Sequence, residues 1–286
     1  MSAAERDGAR RTGSLPTGSL PTGAVAISGL VVETGERDPR PLVDGVDLAV
    51  APGEALGIVG ASGSGKSLTL RAVLGLLPGG TRVSAGSAEA GGRAGMVFQD
   101  PQTALDPLTR VGTHLVEALR ARDAERRIRA GRGALRAGAL ALLDRVHLPD
   151  PERAFRAYPH ELSGGQRQRV VIALALAGDP DALLCDEPTT ALDVTVQRRV
   201  LAELDELRRE RGLTLLFVSH DLAVVAALCE RIAVMDRGRV VETGTIEQLQ
   251  RDPRHPATRA LLAAAPRLPR LEPVGEPGSP SDGDAP

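Results

Sequence analysis

Two glycine-rich turns of opposite character carry the chemistry of this sequence. The first, GASGSGKS at Gly60–Ser67, follows a short apolar run, Ala55–Gly60, and opens a helical pattern. Gly60, Gly63 and Gly65 let successive backbone N–H groups turn inward around phosphate oxygens, at the positive end of the helix that follows. The cradle is expected to run through Ser62, Ser64 and Leu68. Lys66 sets an ammonium against β- and γ-phosphates, and Ser67 sets a hydroxyl on Mg²⁺. This is the chemistry of ATP held with Mg²⁺. The second turn, LSGGQ at Leu162–Gln166, has no lysine of its own. Ser163, Gly164, Gly165 and Gln166 precede another helical pattern, so a hydroxyl and exposed N–H groups form a second anion site. A serine before glycines is also an ordinary helix start. One chain has little use for two γ-phosphate sites, whereas in a head-to-tail pair each LSGGQ covers the ATP held by its partner's lysine loop.

The run ALLCDE supplies what the lysine loop lacks. Asp186 is placed to hold Mg²⁺, directly or through water, and Glu187 to orient or deprotonate the attacking water. Gln99 follows the strand-like Ala94–Phe98 and is placed to reach the metal or the water. His220 ends the run LTLLFVS and is placed to donate to the γ-phosphate. Each residue alone is weak; together they sit at the carboxyl ends of predicted strands, where open α/β sheets bind their ligands.

The elements that must position these residues alternate along the chain. Ala24–Val32 and Leu42–Val50 read as strands, as do Ala55–Gly60, Ala182–Asp186, Leu213–Ser219 and Arg231–Asp236. Helices are expected over Ser67–Leu77, ended by Pro78, Gly79 and Gly80, and over Arg167–Ala177, Val194–Arg211 and Leu222–Cys229. The pattern predicts an α/β fold, with a mixed or parallel sheet covered on both faces and a small N-terminal β region. Residues 101–165 lack a convincing strand and read as a helical subdomain. Residues 1–23, which write SLPTG twice, and residues 266–286 are too polar and Pro/Gly-rich to offset their ordering entropy, and are expected to be disordered.

At 42% apolar over 286 residues there is ample material for one substantial core. A formal net charge of −2 gives no support for a nucleic-acid partner. The arginines between Arg120 and Arg136 read as a solvated or partner-facing helix and connector. Cys185 and Cys229 lie in apolar sequence without metal spacing, which suits buried thiols in a reducing compartment. No apolar run approaches the length of about 18 residues that marks a membrane span, and no secretory leader pattern is seen. The expectation is a soluble protein that meets a membrane only through a partner.

In this light the sequence resembles the ATP-binding subunits of ABC transporters. Gly60–Ser67, Gln99, LSGGQ, LLCDE at Leu183–Glu187, ALD at Ala191–Asp193 and His220 match in the right order over residues 24–265. The resemblance implies an ATPase with a P-loop NTPase core that works as a two-chain ATP sandwich. Lys66, Ser67, Gln99, Asp186, Glu187 and His220 of one subunit would face Ser163 and Gly165 of the other, with Asp193 in the loop linking the two sites. The helical subdomain would dock onto a permease at the cytoplasmic face of the membrane. MVFQDPQTALDP, YPHELSGGQRQRV, DEPTTALDVTVQ and HPATRALLAAAP resemble the dipeptide, oligopeptide and nickel importer branch, with Ala257 where that branch has tyrosine. The branch implies two transmembrane permease subunits, a related ATPase as a heterodimer or homodimer partner, and an external solute-binding protein. An ABC exporter ATPase and a soluble non-transport ABC ATPase are the alternatives. The sequence departs from the family at Val31–Gly35, where an adenine-stacking aromatic is usual.

Overall fold

The computed structural model describes residues 20–265 except Ala191; both predicted disordered segments, apart from Leu20–Gly23, lie outside these residues. Five strands share a parallel core: β3 (Ala55–Val59), β5 (Ala94–Val97), β6 (Ala182–Asp186), β7 (Thr214–Ser219) and β8 (Arg231–Asp236), extended by antiparallel β9 (Arg239–Gly244) in the order β5-β6-β7-β3-β8-β9. β1 (Val25–Thr34), β2 (Pro41–Val50) and β4 (Thr81–Ala90) form a separate antiparallel sheet, β2-β1-β4.

The central strands β3, β6 and β7 are buried at every position because both of their faces are covered. Leu183, Cys185, Leu215, Phe217, Ile232 and Val234 enter one core cluster, and their alternates Leu184, Leu216, Val218, Ala233 and Met235 enter the other. This is the period-2 alternation of a strand written as a continuous apolar run. The second cluster is closed by the small sheet and by α1 (Lys66–Val73), the first by α6 (Gly164–Ala177), α7 (Val194–Arg211) and α8 (Leu222–Leu228).

Between Val97 and Ala182 the described residues form helices and no strand. These are α2 (Pro101–Ala104), α3 (Val111–Glu125), α4 (Arg132–Arg145), α5 (Pro151–Arg156) and a short 3₁₀ turn at Pro159–Glu161, before α6. Leu115, Leu119, Leu135, Ala139 and Leu143 join these helices to the first core cluster. The arginine-rich stretch is partly paired within the chain: Arg122 with Asp123, Arg136 with Glu152, and Arg126 with Asp179 at 2.7 Å.

The chain departs from the sequence reading at several elements. α1 stops at Val73 rather than Leu77, because Gly75 takes φ +66° and Leu76 N–H turns back to the Arg71 carbonyl, a glycine helix stop upstream of Pro78. β4, β9, α9 (Ile246–Arg251) and α10 (Pro256–Ala264) were not anticipated. The HPATR segment opens α10: Thr258 Oγ1 and the His255 and Arg254 N–H groups donate to the Glu242 carboxylate on β9.

Candidate functional site

The candidate residues gather where the sequence placed them, just beyond the carboxyl ends of four neighbouring parallel strands. Gly60 leaves β3, Gln99 follows β5, Glu187 follows β6 and His220 follows β7.

The lysine loop turns from β3 into α1 through Gly63 (φ +77°) and Gly65 (φ +100°), which have to be glycine for the backbone to reverse this tightly. A Cβ on Gly65 would also sit 2.9 Å from the Leu42 carbonyl. Ser62 is exposed, Ser64 is buried with its Oγ unpartnered, and the Leu68 side chain packs on the second core cluster, so its backbone alone faces the loop. Lys66 is 5% exposed, and its Nζ donates to the Gly60 and Ala61 carbonyls at 2.9 Å each. Burial pulls this ammonium below its ordinary value, while Glu187 and Asp186 pull it back up.

Ser67 Oγ donates to Asp186 Oδ1 at 2.6 Å. Asp186 is fully buried; its Oδ2 has no hydrogen-bond partner and faces Arg71 Nη2 at 3.6 Å. Burial pushes its carboxyl up, against the hydrogen bond from Ser67 and the charge of Arg71. A buried orphan carboxylate oxygen beside a serine hydroxyl is a hard-oxygen donor set that fits a small divalent cation carried in with phosphates. Among the described residues no cluster of three or more His, Cys, Asp and Glu side chains is arranged to hold a metal ion.

Glu187 is held by its backbone as well as its side chain. It takes φ +46°, and its N–H donates to the Val218 carbonyl on β7. Its Oε2 accepts from Thr190 Oγ1 at 3.0 Å and from Gln99 Nε2 at 3.4 Å, and lies 3.0 Å from His220 Nδ1. Gln99 and His220, placed separately by sequence, thus converge on one oxygen of Glu187. Gln99 meets Glu187 here rather than Asp186. Sequence reasoning missed Thr190 and Arg71, since neither a turn threonine nor a helical arginine carries a spacing signal.

LSGGQ forms the expected helix start. Ser163 caps α6 with a reciprocal box: Gln166 N–H donates to Ser163 Oγ at 3.3 Å, and Ser163 N–H donates to Gln166 Oε1 at 2.9 Å. The turn packs on the start of α7, where a Cβ on Gly165 would lie 2.6 Å from Val196 Cγ1. Asp193 caps α7 through Thr195 and Val196 N–H. The hydrogen bonds of the Ser163 and Gln166 side chains close within the turn itself.

Phe217 is buried in β7, while Phe155 and Tyr158 lie in the helical region under Arg136 and Arg110. None of these rings stands at the end of β1. Cys185 and Cys229 are free and buried, and burial raises both thiols well above their ordinary value.

The family model described as ABC transporter matches residues 43–190. The oligopeptide transport ATP-binding protein OppD of Mycobacterium tuberculosis is 46% identical over 264 residues, covering 85% of this chain and 42% of the relative. This chain therefore spans less than half the length of that protein. The dipeptide transport ATP-binding protein DppD of Haemophilus influenzae is 42% identical, covering 85% and 77%. A solved dimeric structure of the ATP-binding cassette MJ0796 in a post-hydrolysis state, bound to ADP and Pi, superposes with a TM-score of 0.68 at 29% identity, covering 78% of this chain and 98% of that one.

Proposed function

We propose, for a chain that belongs to the ABC transporter family, that it is the ATP-hydrolysing subunit of an importer for dipeptides or oligopeptides. The observation that carries the reading is the meeting of Gln99, Glu187 and His220 beside the Ser67–Asp186 pair, at the mouth of an intact lysine loop. The peptide reading is supported by the names of the relatives, which are peptide-transport ATP-binding proteins.

Lys66 exchanges its two loop carbonyls for phosphate oxygens when ATP enters. A buried ammonium is poorly satisfied by neutral carbonyls and is better matched by an anion. Glu187 holds the attacking water in line with the γ-phosphate and takes up its proton as the new O–P bond forms and the bond from the γ-phosphorus to the departing ADP oxygen breaks, giving ADP and inorganic phosphate. His220, released from Glu187, donates to the γ-phosphate, and Gln99 moves with it toward the water and metal. Ser67, Asp186 and Gln99 are the residues that would hold Mg²⁺, which supplies charge neutralisation between the β- and γ-phosphates. Ser163 and Gly165 of a second ATPase subunit, related or identical, close over the γ-phosphate, and Asp193 lies between the paired sites.

Among the described residues no helix is long and apolar enough to cross a membrane, so coupling would run through two permease subunits docked on the helical insertion at the cytoplasmic face, fed by a solute-binding protein. Uptake of labelled di- and oligopeptides and of nickel, in cells whose own copy is replaced by wild type or Lys66→Ala, tests the reading. Peptide uptake lost only with Lys66→Ala supports it. Loss of nickel uptake alone would redirect the cargo, and cargo accumulating inside the variant would point to export.

A further inference from the structure

We infer that Thr190 is the positioning residue that keeps Glu187 aimed at the attacking water; this rests on the ATPase reading above. Glu187 Oε2 has three neighbours, and two of them have other duties during turnover. Gln99 Nε2 at 3.4 Å makes the longest of these contacts, and His220 Nδ1 belongs to an exposed ring. Both side chains must turn toward the nucleotide if they are to act on it. Thr190 Oγ1, 3.0 Å from the same oxygen, is then the side-chain donor that stays.

The turn carrying Thr190 is fixed at both ends. Glu187 N–H donates to Val218 on β7, Thr190 N–H returns to the Glu187 carbonyl at 3.4 Å, and buried Thr189 Oγ1 accepts from Gln197 Nε2 of α7 at 3.0 Å. Thr190 therefore moves as one body with Glu187 and with the strand that bears Asp186. A hydroxyl suits the role. It donates to the carboxylate without carrying a charge that would repel or neutralise the base, and it leaves Glu187 Oε1 for the water.

The test compares ATP turnover of the full chain, wild type, Thr190→Val and Thr190→Ser, with thermal unfolding and nucleotide binding measured on each. Valine keeps the shape and removes the donor. Thr190→Val is expected to lower kcat about tenfold or more, as for loss of a hydrogen bond to a charged group, with KM for ATP within about twofold, because the interaction serves the chemical step rather than binding. Thr190→Ser is expected to recover most of the rate. Thr190→Val should also prolong the ATP-bound dimer, since closure is intact and hydrolysis is slow. Unchanged kcat in Thr190→Val would overturn the inference, and so would a serine variant as impaired as the valine one. A wild-type chain that binds ATP without hydrolysing it, alone and with its partner ATPase, would instead remove the ATPase reading on which the inference stands.

Discussion

Ser67 Oγ and Asp186 Oδ1 lie 2.6 Å apart, joining the first turn of α1 to the end of β6 across 119 residues of sequence. This contact holds a fully buried carboxylate whose other oxygen has no hydrogen-bond partner. Asp186→Asn keeps the shape and removes the charge. It is expected to bind nucleotide in the absence of Mg²⁺ about as wild type does. It should lose most of the gain from adding the metal, about tenfold or more by the worth of contacts to a charged group. Fluorescent-nucleotide titrations with and without Mg²⁺ check this; a full metal gain in the variant would contradict it.

On the proposed two-chain site, a substitution at Gly165 should separate nucleotide binding from dimer chemistry. A methyl group there would press on Val196 Cγ1 and push the LSGGQ turn off α7. Gly165→Ala should leave ATP binding by the single chain within about twofold, while turnover and ATP-driven dimerisation fall at least about tenfold, the loss expected when a contact made only in the closed state is misplaced. Equilibrium binding and steady-state hydrolysis, measured on one preparation, separate the two effects.

Arg169 and Glu203 form a buried ion pair between α6 and α7 at 2.5 Å, and Arg169 Nη1 also donates to the His147 carbonyl at the end of α4. Burial pulls the arginine down and pushes the glutamate up, so the pair is held against its own desolvation cost. Removing Glu203 strands a buried guanidinium, and removing Arg169 leaves the buried carboxylate only the exposed Arg199 at 3.5 Å. Arg169→Met or Glu203→Gln should each cost about 3 kcal/mol in urea unfolding, and the double variant less than the sum. Additive losses would show that the two groups do not depend on each other.

Asp179 ties the helical insertion to the core. It accepts from Arg126 beyond α3 at 2.7 Å and lies near Arg93, which precedes β5, and Arg211, which ends α7. The Arg126 hydrogen bond holds its carboxyl below the usual range despite the opposing effect of burial, with the charges of Arg126, Arg211 and Arg93 also lowering it. The sign follows from that depression. The contact stabilises the fold above the carboxyl's unfolded value of about 3.9 and is lost as pH falls through the lower folded value. Asp179→Asn should therefore flatten the acid limb of the stability–pH curve and speed hydrogen exchange around Arg126 at neutral pH. An unchanged acid limb would contradict the assignment.

The core strands were legible because they are buried on both faces: Leu183–Cys185 and Leu215–Val218 have no polar break, and a candidate site residue lies just beyond each run. β4 was not legible because Thr81–Ala90 is an edge strand of Thr, Ser, Gly and Ala, mostly exposed and without apolar alternation. Its place is set by pairing with β1, a long-range contact with no local signature. The end of α1 is less legible because Pro78, Gly79 and Gly80 form the stronger breaker cluster in the sequence, whereas the single left-handed Gly75 already stops the helix. At the site, the strand ends located Gln99, Glu187 and His220, but only the folded chain brings them onto one carboxylate oxygen. Thr190 has no motif to announce it; its role lies in the geometry of one turn.

In the proposed function two chains share each ATP, with Lys66 on one side and Ser163 on the other. Light-scattering chromatography of Glu187→Gln with ATP and Mg²⁺, alone and mixed with its partner ATPase subunit, tests this most directly. The prediction is a nucleotide-dependent dimer in the variant that Ser163→Arg abolishes without loss of ATP binding. A Glu187→Gln chain that binds ATP yet stays monomeric in both mixtures would contradict the shared site.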